Sequence, residues 1–325
     1  MKNCRNKPQL IVSLDFELFW GMQDGHTLAS YKENVLGGRK AIPRLLQLFR
    51  DHGIHATWAT VGFLFAENSD EARRFFPPDG LLPGYRDPKL SSYRLFQEDG
   101  ELQSDPDCFF APSLIRQIAE TEGQEIGSHT FSHYYCREAG QTPEQFAADL
   151  DAALEIAKSK GYELKTIVMP RNQTEPAYYR ILASKGFVAF RDEENDWIHE
   201  KIRKRLLLRA LRLMDVYFSL TGQGGYRPQM ESGLVNLVGS RMYKPRFAKL
   251  LFLERLKIHR IKRQMLHAAK NGLTFHLWWH PHNVGIYTDF HLKQLEELFS
   301  YYQTLHARYG MESVNMIEAA RMVTD

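Results

Sequence analysis

Cysteine is scarce: Cys4, Cys108 and Cys136 are the only three among 325 residues. An odd, widely spaced set builds neither a disulfide framework nor a paired-cysteine zinc knuckle, so a reducing compartment is expected. Runs of about 18 apolar residues are also lacking, so no helix is expected to span a bilayer. The apolar stretch LIVSLDFELFW is broken by Asp15 and Glu17 and followed by no small-residue cleavage site, which argues against a signal peptide and for a cytoplasmic location. Internal repeats and low-complexity tracts are missing too. What is present, 43% hydrophobic, 25% charged and 12% aromatic residues, is ordinary globular usage and excludes a disordered, collagenous or coiled-coil chain.

The net charge of +3 hides a segregation: residues 200–270 hold 17 Lys/Arg against 4 Asp/Glu, and the remainder is acidic. One face is therefore suited to an anionic partner such as phospholipid head groups or a phosphorylated sugar carrier. Within this segment KIRKRLLLRALRLM alternates cationic clusters with leucine, a pattern for an amphipathic helix at an anionic membrane surface, which would place the protein peripherally at the inner membrane face. The same pattern suits a helix that packs its leucines on the body of the protein. No helix-turn-helix, RNP or finger pattern accompanies the charge, so nucleic acid is not an expected partner.

Apolar, β-branched runs recur at Leu10–Asp15, Ile54–Val61, Glu125–Ser128, Thr166–Met169, Phe187–Phe190, Leu234–Val238 and Leu273–Trp279. Helical patterns fill the gaps at Ala41–His52, Ala111–Thr121, Pro143–Gly161 and Phe290–Tyr309, with glycine closing several of them. Strand–helix alternation of this kind predicts an α/β fold with a parallel sheet, and about seven such units fit a distorted barrel in one domain over 1–325. Two stretches, about 76–107 and 200–271, fall outside the alternation and are read as insertions over a barrel face.

Chemistry-bearing residues gather at strand ends. Asp15 and Glu17 lie two apart, so a strand aims both carboxylates to one side, at a cost of several kcal/mol each unless cations or hydrogen bonds compensate. In SHTFSH, His129 and His133 are four apart and would share a face of a helical turn, where two imidazoles and a carboxylate could hold a divalent ion with a position left open. LTFHLWWHPHN ends a strand at Pro281 and places His280, an acid–base candidate, at its carboxyl end with His282 close by. VMPRNQ offers Arg171 as a permanent cation to orient a carboxylate, and RDEENDW offers Asp192 and Asp196 as supporting acids with Trp197 as a ring for sugar stacking.

In order, the DFE, ATW, SHTFSH, PRNQ, NDW and HPHN segments resemble those of the polysaccharide deacetylases with a NodB-type homology domain, in particular those near surface-polysaccharide biosynthesis, over nearly the whole chain. The resemblance implies a distorted (β/α)7 barrel of the NodB type and a metal-dependent removal of acetyl, chiefly N-acetyl, groups from a sugar or surface-polysaccharide precursor. It implies Asp15 as base, His280 as acid, and Glu17, His129 and His133 as ligands of Zn²⁺, with Co²⁺, Ni²⁺ or Mn²⁺ as alternatives. Asp196, Trp197 and His282 would contact an acetylated glycan or a lipid- or nucleotide-linked sugar. The sequence departs from the family pattern where an arginine is usual two residues before the proline: Val168 stands there, so Arg171 would have to act from a new place. Hydrolysis of a non-sugar amide or ureide on the same barrel, or sugar binding without catalysis, are the rival expectations.

Overall fold

The opening strand, Gln9–Phe16 (β1), is buried along all eight residues, as a central strand of a two-sided parallel sheet must be. Alternation divides it. Leu10, Val12, Leu14 and Phe16 join the large core beneath the helices, whereas Ile11 joins a smaller core with Ala59, Val168, Ala189, Val235 and Leu237. Ser13 and Asp15 follow Ile11 on that inner side by the strand period of two. These elements come from a computed structural model, which describes residues 7–98, 100–192, 205–218, 221–222 and 224–324.

The remaining strands are Ala56–Thr60 (β2), Gln124–Ser128 (β3), Thr166–Val168 (β4), Ala189–Arg191 (β5), Gln229–Glu231 (β6), Leu234–Asn236 (β7), Arg241–Met242 (β8), Thr274–Trp279 (β9) and Glu312–Val314 (β10). They pair in the order β6-β7-β5-β4-β3-β2-β1-β9-β8, with β10 added to β1. All pairs are parallel except the β6–β7 hairpin. That hairpin turns through Ser232 (φ 51°) and Gly233 (φ 85°), the two positive angles that a tight primed turn requires. The result is a curled, open barrel of parallel strands. The seven expected strands are all present. β6, β8 and β10 are additions of two or three residues.

Helices pack outside the curl. Leu28–His52 (α1) begins well before the expected Ala41, because Gly37 and Gly38 do not break it: a Cβ on Gly37 would lie 2.2 Å from the Gly285 carbonyl and one on Gly38 2.8 Å from the His282 Cα. The glycines thus let the HPHN loop lie directly on α1. Ser69–Arg73 (α2), Tyr93–Glu98 (α3) and Gly100–Ser104 (α4) are short, and Pro112–Ala119 (α5), Pro143–Ser159 (α6) and Pro176–Ser184 (α7) each start on a proline. Arg205–Tyr217 (α8), Glu254–Asn271 (α9), Thr288–Tyr309 (α10) and Met316–Thr324 (α11) complete the set. Met316, Ala319 and Ala320 of α11 belong to the inner core with Ile11.

The stretch 76–107 is an excursion with a packing role, since Phe96 stacks 5.5 Å from Trp20 and lies 4.9 Å from Phe63 at the end of β2. The reading of 200–271 as one insertion is corrected: β7 and β8 within it are strands of the sheet, and α9 packs on the barrel. The basic charge concealed this, because the barrel-facing side of α9 is carried by Ile258, Ile261, Met265 and Ala268 among closely spaced cations.

Candidate active site

The inner side of β1 ends in two buried carboxylates, Asp15 and Glu17, each 3% exposed. Asp15 is gripped by Arg191 at the end of β5: Nη1 donates to Oδ1 at 2.7 Å and Nη2 to Oδ2 at 2.8 Å. The same guanidinium donates to Ser13 Oγ (2.9 Å) and Asn172 Oδ1 (2.9 Å) and lies 4.2 Å from the Trp278 ring. Burial pushes the Asp15 carboxyl up, but the Arg191 cation, with His280 behind it, outweighs burial and holds it below the usual range. Asp15 is thereby kept ionised, a proton acceptor.

Arg191 was not among the expected site residues, and it corrects the assignment of Arg171. Arg171 instead pairs with Asp24 and Glu138 and lies 4.2 Å from the Tyr135 ring. Its backbone takes a left-handed φ of 55°, as does Asn172 at 50°; Asn172 Oδ1 meets Arg191, while the Arg171 side chain engages the two acids. The register explains the substitution: Val168 and Arg191 are paired neighbours on β4 and β5. The cation missing from one strand is supplied from the same rung of the next. The available signal was an arginine ending the apolar run FVAF, opposite the valine that stands where arginine is usual.

Glu17 meets the two histidines of SHTFSH. Glu17 Oε2 is 2.9 Å from His133 Nε2 and 3.4 Å from His129 Nε2, and one ligand atom from each of the three residues lies within 4.8 Å of the others. The expected helical turn is absent: Thr130 (φ 64°) and His133 (φ 59°) are left-handed, so a loop, not a helix face, brings the imidazoles together. Asp149 on α6 holds this loop, accepting from the Phe131 and Ser132 amides at 3.1 Å, and Thr130 Oγ1 accepts from the Tyr134 amide at 2.7 Å. His129 Nδ1 lies 2.8 Å from the Val168 carbonyl, which fixes the proton on Nδ1 and turns the Nε2 lone pair toward Glu17. That Nε2 is buried without a hydrogen-bond partner. Burial raises the Glu17 carboxyl, but His280, His129 and His133 together draw it well below the ordinary range; burial also lowers the His133 imidazole, only partly opposed by Glu17. A carboxylate and two imidazoles, one with an orphaned buried nitrogen, are the donor set of a divalent-ion site, and these residues fit one.

His280 stands over both carboxylates, its Nε2 3.6 Å from Asp15 Oδ2 and 3.6 Å from Glu17 Oε1, with 20% of its side chain exposed. Asn283 Nδ2 lies 3.2 Å from its other ring nitrogen. His282, expected to contact substrate, is 3% exposed and stacks on His280 at 5.0 Å with Nε2 3.9 Å from Glu17 Oε1. It backs the site rather than lining a surface. Burial, with His280 beside it, pushes its imidazole down to about 3, so it stays neutral. Asp192 accepts from Thr174 Oγ1 at 2.6 Å beside β5, while Asp196 and Trp197 lie outside the described residues.

The arrangement combines an ionised buried carboxylate, an adjacent triad with the donors for a divalent ion and an imidazole within 3.6 Å of both acids. Comparison with known proteins bears on what it does. Residues 33–190 match the family model for polysaccharide deacetylase. Among solved structures, a protein of Mycobacterium smegmatis assigned as a polysaccharide deacetylase aligns over 98% of this chain and 91% of its own, at 14% identity and a TM-score of 0.61. One of Pseudomonas aeruginosa PAO1 with the same assignment aligns over 98% and 90%, at 14% identity and a TM-score of 0.56. A GH57-type branching enzyme of Pyrococcus horikoshii aligns over 96% and 69%, at 11% identity and a TM-score of 0.51. At these identities the structures share the fold, a NodB-type barrel. No curated protein matches the chain.

Proposed function

We propose that this chain, whose residues 33–190 match the family model for polysaccharide deacetylase, is a metal-dependent hydrolase removing N-acetyl groups from a sugar or surface-polysaccharide precursor. The observation that carries this reading is the buried cluster of Glu17, His129 and His133 directly beside an Asp15 held ionised by Arg191. Glu17, His129 and His133 would hold the ion, which when bound supplies Lewis acidity toward the acyl carbonyl and toward water. Asp15 takes the proton from the attacking water. Arg191 keeps the carboxylate oriented and charged, and is itself held by Ser13, Asn172 and the Trp278 face. The Arg171 N–H, just after Pro170 at the carboxyl end of β4, is the backbone donor offered to the developing oxyanion. His280, within 3.6 Å of both acids, gives a proton to the departing amine, which otherwise would leave as an amide anion. Loss of that proton donor in His280→Ala is expected to lower turnover by about 10²- to 10⁴-fold.

The test measures acetate release from N-acetylated oligosaccharides alongside metal content. Wild type should lose activity with chelator and regain it with Zn²⁺ or Co²⁺, while His129→Ala and His133→Ala should lose both bound metal and turnover. Stoichiometric metal in both variants would remove these histidines from the site. Hydrolysis of simple amides with no acetate from any acetylated sugar would remove the sugar.

A further inference from the structure

Nine of the twelve exposed large hydrophobic residues among the described residues fall between positions 207 and 256. On α8, Leu207 (46% exposed) and Met214 (48%) are seven apart, and Phe218 (45%), the residue just after the helix whose amide donates to the Met214 carbonyl, continues the same stripe. The stripe cannot simply roll inward. Asp215, next to Met214, is buried and receives Arg241 Nη1 and Arg260 Nη2, each at 2.8 Å, together with the Thr221 amide at 2.8 Å. Rotating α8 would break this ion cluster and strand its charges.

A second group lies where the 3₁₀ turn Ala248–Leu253 runs into α9: Leu251 (47% exposed), Phe252 (76%) and Leu256 (41%). Both groups flank α9, because Arg260 of α9 ties down α8 and the turn leads into its first residue. α9 leads from β8 back to the start of β9, so its Glu254 end lies at the carboxyl ends of the strands, where Asp15 and His280 sit. Exposed Arg255 and Arg263 stand on α9 itself.

We propose that this face docks on an anionic lipid bilayer, its apolar side chains entering the interface while exposed cations of α9 such as Arg255 and Arg263 meet the head groups. Charge selects the occupant. With Arg255, next to Leu256, and Arg263 both exposed on α9, a second copy seated on the same patch would set like charge against like across a two-fold axis, whereas an anionic membrane complements it. Apolar insertion adds to the electrostatic attraction, the pairing that interfacial helices use. The docked face would hold the barrel mouth beside the membrane, within reach of a lipid-linked substrate.

Co-sedimentation of the full chain with phosphatidylcholine vesicles, with and without phosphatidylglycerol, tests this without any turnover, so it stands apart from the hydrolytic reading. Wild type should pellet with phosphatidylglycerol vesicles at low salt, less at high salt, and stay soluble with phosphatidylcholine alone. Phe252→Glu and Met214→Glu, both at exposed positions and checked for unchanged thermal midpoints, should each weaken binding by about tenfold or more. Wild type that remains in the supernatant at low salt overturns the proposal. So does pelleting that ignores both variants, or a self-association in the absence of lipid that Phe252→Glu abolishes.

Discussion

At Arg191, a single side chain decides the charge state of Asp15. Its two donors to Asp15 outweigh a desolvation that would otherwise protonate a carboxyl buried to 3% exposure. The carboxylates, the paired histidines and His280 were legible in the sequence because their spacing along a strand or motif is itself geometric. Arg191 was not, since its partner Asp15 is 176 residues away and only the rung shared by Val168 and Arg191 relates it to the missing arginine. Arg191→Met should therefore lower kcat/KM by about 10²-fold or more and move the acidic limb of the pH–rate profile upward, because the cation that depresses the Asp15 carboxyl is gone. Arg191→Lys, keeping charge but not the two-pronged grip, should fall between. A pH–rate profile identical to wild type in Arg191→Met would show that Asp15 is not the base.

Among the elements, the SHTFSH loop shows how the right residues can be read with the wrong local structure. A spacing of four suggested a helix face, yet two left-handed residues, Thr130 and His133, fold the same spacing into a loop. What stabilises it is remote in sequence: Asp149 of α6, fully buried, accepts both the Phe131 and Ser132 amides and the Ser132 hydroxyl. Burial raises the Asp149 carboxyl to about 7 despite those donors. Its folded value thus lies above the unfolded value near 4, so its contribution to stability is complete below about pH 4 and is lost as pH rises through about 7, at up to ~1.4 kcal/mol per pH unit. Asp149→Asn, which cannot titrate, should remove that component, so the difference in urea midpoint between variant and wild type should change steadily between pH 4 and 7. A constant difference would mean that Asp149 does not take up a proton on folding. The same limit of local reading accounts for β6, β8 and β10: two or three residues show no periodicity, and their pairing with distant strands is what defines them.

Taken as a whole, the barrel was legible because seven apolar runs alternating with helical patterns have few ways to be buried, whereas its basic flank was misread because charge hid the apolar side of α9. Buried imidazoles act at the scale of the whole molecule too. His276 (against Ser13 and near Arg191), His282 (behind His280) and His291 (on Tyr243, near Lys257) are each pushed down to about 3, burial being the largest cause in every case. Their folded values lie below the unfolded value of about 6.5, so the stability they contribute is complete above that pH and is lost as pH falls toward 3. Between about pH 4 and 6.5 three such groups oppose the single proton of Asp149, and the balance is a loss of up to about 3 kcal/mol for each unit of acidification. Urea midpoints should accordingly fall from pH 7 to pH 5, and His291→Asn, far from the carboxylates and still able to meet the Tyr243 hydroxyl, should make that fall shallower whatever it does to the midpoint at pH 7. Midpoints that are flat or rise on acidification would mean that these imidazoles are already charged inside the fold, and a neutral inner lining around Asp15 and Glu17 could no longer be assumed.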